Sequence, residues 1–288
     1  MRRLFFWLSL PLVLVFGCTM ESPDWIRGQS SAYPASEYLT AVGLGSARDL
    51  AEEEARQKLQ ARLHRQSEMD RSEAEGGRIA EVWHDREADA YYALAVIDRQ
   101  SAGKLLSAAL AALDRTIAER VAAAEVAGSS LLRWGHFLWA ASLATKREAL
   151  ADDLRYVDPA AVIPPVAYSL GQLVERRDLA AARVGVAIRL GNDRDDAVRQ
   201  RLIRALAERG LRLAPDFAAD LRINGSVAAL EPPPDIPAVA VRIEFDGDDT
   251  DSVKLPTIDE RADSEAIGEQ LALRLVAEVI SLAGEELP

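Results

Sequence analysis

Ala90-Tyr91-Tyr92-Ala93-Leu94-Ala95-Val96-Ile97-Asp98 is the stretch on which the fold turns. Tyr91, Ala93, Ala95 and Ile97 alternate with Tyr92, Leu94 and Val96, so an extended segment here is apolar on both faces. A strand of that kind has to be covered on both sides, which makes it a central strand. Arg78 to His84 precedes it as a partner strand across the acidic turn Asp85 to Asp89. Behind it the period changes. Leu106, Leu110, Leu113, Ile117, Val121 and Ala124 recur at helical spacing within Ser101 to Ala127. Strands grouped together and then backed by long helices predict an α+β fold.

Upstream, Glu37 to Val42 reads as a strand that Gly43-Leu44-Gly45 breaks. Ser46 is a helix N-cap with Asp49 three residues on, and Ala51, Ala55, Leu59 and Leu63 give the helix after it a narrow apolar face. Downstream, Gly128-Ser129-Ser130 ends the long helix and a second runs from Leu131 to about Arg155, so the two form an αα-hairpin. Asp158 to Pro165 holds three prolines and is the expected domain boundary. A helix from Tyr168 to about Ala181, a strand Arg183 to Leu190 and a helix Arg194 to Arg209 follow. Strands Asp220 to Leu230, Ala238 to Phe245 and Val253 to Leu255 precede a last helix, Asp263 to about Ala283. The expected domains are two small α+β units, 37–157 and 166–288.

The 288 residues carry 49% hydrophobic and 28% charged side chains, a composition that buries a core and excludes disorder for most of the chain. The net charge of −12 repels phosphate backbones, so nucleic acid is not an expected partner. Arg2 and Arg3 lead an apolar stretch, Leu4 to Phe16, broken only by Ser9 and Pro11. As a helix it covers about 20 Å, short of a hydrocarbon core of about 30 Å, and so reads as a secretory signal over residues 1–17. No later segment is apolar and long enough to span a membrane. Val15-Phe16-Gly17-Cys18 resembles the lipobox of bacterial lipoproteins. That resemblance implies acylation of Cys18, the only cysteine, which removes a free thiol from an oxidising compartment and supplies the chains stable anchoring needs. Thr19, not aspartate, follows it, which implies the outer membrane, facing the periplasm. Residues 18–36 then form a lipid-anchored tether rich in Ser, Pro and Gly.

Pro23-Asp24-Trp25, Tyr38-Leu39-Thr40-Ala41-Val42-Gly43-Leu44-Gly45-Ser46 and Tyr91-Tyr92-Ala93-Leu94-Ala95-Val96-Ile97-Asp98-Arg99 together resemble the LPP-twenty lipoprotein domain of bacterial outer membranes. The resemblance covers residues 23–110. It implies an α+β domain on a lipid anchor, related to flagellar-assembly lipoproteins, and brings no catalytic residues with it. The C-terminal half is loosely similar, in element order alone, to TolB amino-terminal domains and curli-secretion lipoproteins.

The candidates for chemistry each have a plainer reading. Gly43-Leu44-Gly45 before a helix could cradle phosphate, but a dinucleotide fingerprint would put glycine at position 48, where Arg48 stands; a tight strand-to-helix turn is preferred. Asp246, Asp248, Asp249 and Asp251 could hold calcium, yet glycine and glutamate are missing where an EF-hand needs them, and a solvated hairpin loop is preferred. His64, His84 and His136 lie far apart, and no Gly-x-Ser-x-Gly motif occurs. No enzyme, metal or cofactor is expected. Trp25 and Tyr33 near the tether, and Trp139 on the outer face of the hairpin's second helix, are the expected binding residues. The sequence thus reads as an envelope scaffold that docks periplasmic or outer-membrane proteins, with binding of a ligand or cell-wall material as the alternative.

Overall fold

The computed structural model describes residues 22–63, 77–193, 196–229, 238–247, 258–263 and 266–285. The expected signal segment and Cys18 lie outside the described residues. The fold is α+β, in two compact units that part after Arg99.

In the first unit (22–63 and 77–99), β1 (Tyr38–Gly45), β2 (Arg78–Asp85) and β3 (Ala90–Asp98) form an antiparallel sheet with β3 in the middle. Ala93 to Ile97 are all buried, so the doubly apolar strand is central, as its sequence requires. Two different elements cover its faces. Helix α1 (Arg48–Leu63) lies on one, through Ala51, Ala55 and Leu59. On the other, Trp25 packs with Leu94 and Val96.

Gly43-Leu44-Gly45 does not break the strand; it is the end of β1, opposite Ala93, Tyr92 and Tyr91. The glycines serve the helix instead. A Cβ at position 43 would fall 2.1 Å from the Ala51 carbonyl oxygen and 2.4 Å from the Ala55 nitrogen. Part of the stretch expected as a tether is instead built into this unit. Asp24–Arg27 forms a 3-10 turn closed by Gly28 at φ 81°, and it belongs to this unit's core because Trp25 is needed to cover β3.

The second unit takes in α2 (Arg99–Val126), from Gln100 onward, and α3 (Ser130–Val157). Ser129 caps α3, its hydroxyl accepting from the Leu132 N–H at 3.2 Å. The helices form an antiparallel hairpin. Arg133 donates to the Ala124 carbonyl, Arg147 pairs with Asp114 at 2.5 Å, and Gly103 faces Asp158. The expected boundary at 158–165 is therefore misplaced. Arg147 also donates to the Pro164 carbonyl at 2.8 Å, fastening the proline segment to the hairpin, and the hairpin's apolar stripes enter the core of the C-terminal sheet.

After α4 (Leu170–Ala181), whose Ser169 and Gln172 form a capping box, come β4 (Gly185–Gly191), α5 (Ala197–Glu208) and β5 (Arg212–Leu213). Strands β6 (Leu221–Ala229), β7 (Ala238–Gly247) and β8 (Ile258–Asp263) and helix α6 (Ile267–Glu285) complete the unit. The sheet order is β5-β4-β6-β7-β8; β4 is parallel to both its neighbours and the remaining pairs are antiparallel. Val186, Ile188, Leu221 and Ile223 join Trp134, Leu202, Leu271 and Leu275 in one core. The expected strand at 253–255 lies outside the described residues. Leu113, expected at the centre of the α2 stripe, is only half-buried, whereas Leu110 is fully buried.

Gly43→Ala should destabilise the first unit by about 1–3 kcal/mol or more, because the new methyl meets backbone that cannot rotate away. Gly171→Ala, where a Cβ meets open space on α4, should be neutral or stabilising. Urea denaturation of the two variants measures the difference; equal midpoints would refute the close approach at Gly43.

Candidate functional site

Of the three expected binding residues, the structure brings Trp25 and Tyr33 to one place. Both line a cavity of about 420 Å³ in the first unit, with Gln29, Ser30, Thr40 and Leu94. Trp25 contributes only a wall. It is 5% exposed, and its indole N–H donates to Glu81 at 2.7 Å. Tyr33 stands edge-on to Tyr38 with ring centroids 5.3 Å apart, and the Arg78 guanidinium lies 5.6 Å from its ring. Its N–H donates to the Ser30 hydroxyl at 3.1 Å. Aromatic faces beside hydroxyl and amide groups suit a small polar ligand with an apolar side. Glu81 went unread in the sequence because a lone glutamate in a strand carries no sign of a partner 56 residues away.

The other candidates of this unit take plainer roles. The Leu44 N–H, which a phosphate would need, donates to Glu54 at 2.5 Å. That bond, followed by Lys58, holds the Glu54 carboxyl below the usual carboxylate range. The same row of α1 continues along the strand edge: Lys58 donates to the Val42 carbonyl at 3.2 Å, and Arg62 donates to the Thr40 carbonyl. His84 stacks on Tyr91 at 4.2 Å and reaches the exposed Asp89 at 3.3 Å, on a surface turn.

Trp139 lies in the second unit and is not the exposed contact expected. It is half-buried against the core, with the Arg120 guanidinium 3.5 Å from its ring centre. Arg120, 7% exposed, also donates to the Ala283 carbonyl at 2.6 Å, near the end of α6. Arg120 of α2 thus covers Trp139 on the face of α3 turned away from Trp134. Arg120 was legible in principle, as a charge three residues after Ile117 and four before Ala124 within an apolar stripe. Beside it, His136 is 2% exposed, and neither its Nδ1 nor the Arg120 Nε has a partner among the described residues. Burial, and then the Arg120 charge, push the His136 pKa down. Of the acidic loop, Asp246 lies within β7, in register with Arg222, and Asp248, Asp249 and Asp251 lie outside the described residues.

The sheet edges form a further set of surfaces that sequence reading did not single out. Arg212 and Ala214 donate their N–H groups to the Val184 and Val186 carbonyls at 3.2 and 3.0 Å. Backbone alternation therefore turns the N–H and C=O of Leu213 outward from β5. The Leu213 side chain is 52% exposed and borders an apolar pocket of about 230 Å³ with Val186, Ile203, Leu206, Ala207 and Leu211. Phe217, 87% exposed, sits in the 3-10 turn Asp216–Ala218.

A His136 held neutral makes the second unit lose stability on acidification. Its folded pKa lies below the unfolded value of about 6.5, so the contribution is complete above that pH and declines as pH falls toward the folded pKa. Compared with His136→Phe, the wild-type chain should lose up to about 1.4 kcal/mol more per pH unit in that window. Urea denaturation at pH 7.5, 6.5 and 5.5 measures it, and parallel pH profiles would show that His136 is not neutral in the fold.

No described helix is long and apolar enough to cross a membrane. No family model matches the chain, and no curated protein does either. Among solved structures, a secreted protein of Helicobacter pylori is similar over 85% of this chain and 97% of its own, at 15% identity and a TM-score of 0.43. A minor lipoprotein of Acinetobacter baumannii is similar over 37% of this chain and 97% of its own, at 13% identity and a TM-score of 0.24.

Proposed function

We propose that the chain is a non-enzymatic lipoprotein, held by acyl groups on Cys18 at the periplasmic face of the outer membrane, that docks other envelope proteins. The charged and apolar halves of the first seventeen residues, with Val15-Phe16-Gly17-Cys18, support the anchor. The resemblance of residues 23–110 to the LPP-twenty domain agrees with it. The observation that carries the docking reading is the β5 edge, where an outward backbone pair, a half-exposed leucine and an apolar pocket coincide.

A second reading is favoured by the cavity at Trp25 and Tyr33, which has the size and mixed lining of a small-ligand site. Cell-wall fragments, with their sugar rings and short peptides, would suit it.

Cys18→Ser should abolish palmitate labelling and move the protein from the membrane pellet to the periplasmic fraction. A variant that stays unlabelled in the outer membrane would mean that a partner, not lipid, holds it. In intact cells, photo-crosslinkers at positions 213 and 217 should capture the same discrete envelope protein, and one at Leu105, exposed on α2, should not. Equal capture at all three positions would refute site-directed docking. Thermal stabilisation by purified disaccharide-peptide fragments, lost in Tyr33→Ala, would favour the ligand reading.

A further inference from the structure

We propose that β5 accepts an extended partner segment as an added strand, apolar where it crosses the pocket and acidic on both flanks. This rests on the docking reading and names the chemistry of the partner.

The four edges of the two sheets are not equivalent. The outer edge of β1 is already occupied by Glu54, Lys58 and Arg62. A register shift between Ile79 and Glu81 interrupts β2, and β8 reads Ile-Asp-Glu-Arg-Ala-Asp, with charges at four of six positions. Bulges and charges of this kind discourage strand pairing. At β5 the outward N–H and C=O of Leu213 have instead an apolar pocket beside them. The geometry sets which partner side chains are buried. Leu211 and Leu213 line the pocket on the α5 side, with Ile203 and Ala207, so alternate residues of an added strand would rest there.

Charge decides the flanks. From Arg183 to Arg212 the chain has eight arginines against four acids, within a protein of net charge −12; Arg189, Arg199 and Arg209 are ion-paired with Asp216, Asp196 and Glu269. Arg212 lines the pocket, and Arg204 follows Ile203 on α5; both are exposed, and neither has an ion-pair partner among the described residues. A two-residue strand offers few backbone bonds, so the pocket and these arginines would supply much of the affinity. An acidic, extended, apolar-centred segment meets all three demands.

The test uses the full chain and two fluorescein-labelled peptides, Asp-Asp-Val-Leu-Val-Asp-Asp and Lys-Lys-Val-Leu-Val-Lys-Lys, followed by anisotropy. The acidic peptide should bind at least tenfold more tightly, although the protein as a whole repels it, and should weaken as salt rises. Arg204→Glu combined with Arg212→Glu should reverse the order. Leu213→Pro should bind at least fivefold more weakly than Leu213→Ala, since both lack the leucine but only proline lacks the outward N–H. Should the proline variant not fold, N-methylated acidic peptides replace it. Methylation at the leucine and methylation at both valines should differ at least tenfold, because only alternate N–H groups face the edge. Equal binding of the two charged peptides, or equal binding of the two methylated ones, overturns the proposal. If crosslinking at position 217 still captures a discrete protein after such a result, docking stands and strand addition at β5 falls; if it too is lost, both fall.

Discussion

Helix α1 rests on the sheet at backbone distance, and the first unit is arranged around that contact. With no side chain at position 43, the Ala51 carbonyl and the Ala55 amide lie where a Cβ would otherwise stand. The residues around them are correspondingly small: Ala41, Ala93 and Ala95 on the strands, and Ala51 and Ala55 on the helix, all 2% exposed or less. A helix that close brings its next row of side chains level with the strand edge. Glu54, Lys58 and Arg62, four residues apart, reach Leu44, Val42 and Thr40 in turn. Closing an exposed β edge is therefore a consequence of close helix packing, because longer side chains beneath α1 would lift this row away from the strand.

The second unit uses the same device at other places. A Cβ at Gly268 would lie 2.7 Å from the Arg201 backbone, and one at Gly135 would lie 2.9 Å from the Val279 carbonyl. Helix α6 is thus seated on α5 and on α3 without intervening side chains. Where it meets α2 the arrangement differs. Arg120 spans the gap by placing its guanidinium over Trp139 and donating to the Ala283 carbonyl, one of the last in α6 that no helical N–H can satisfy. A buried cation there costs desolvation, which the carbonyl, the helix C-terminal dipole and the indole face offset.

Much of the local structure was legible, and the reason is burial on a regular period. The central strand β3 and the helices α2 and α3 are long and strongly patterned, so each appears with ends close to those the sequence marks. What failed was assignment across distance. Adjacency in sequence assigns the hairpin to the N-terminal strands, yet its stripes fit the C-terminal sheet, and period alone does not say which apolar face receives another. Trp139 failed similarly. The helical period turns it away from Trp134, which implies exposure only if α3 has one covered side, whereas α3 packs against both α4 and α6 and is met by Arg120 of α2. Strand β8 was missed for the opposite reason, since four charged residues in six leave no alternation to read.

The candidate sites divide along the same line. Trp25 and Tyr33 were visible as aromatic residues in a polar segment, but the cavity they share depends on the 3-10 turn that draws Trp25 onto Leu94, which no spacing announces. At β5 the decisive feature is a pair of backbone groups, and Arg212-Leu213 is too short to register as a strand. Its orientation follows from Arg212 and Ala214 bonding to β4, which leaves Leu213 no direction but outward. The placement of charge then gives that edge its character. The chain as a whole carries an acidic surplus, while Arg204 and Arg212 place two exposed cations without an ion-pair partner among the described residues beside β5. The strand addition proposed above uses those two cations, because they flank the apolar edge on which the partner's central residues would rest.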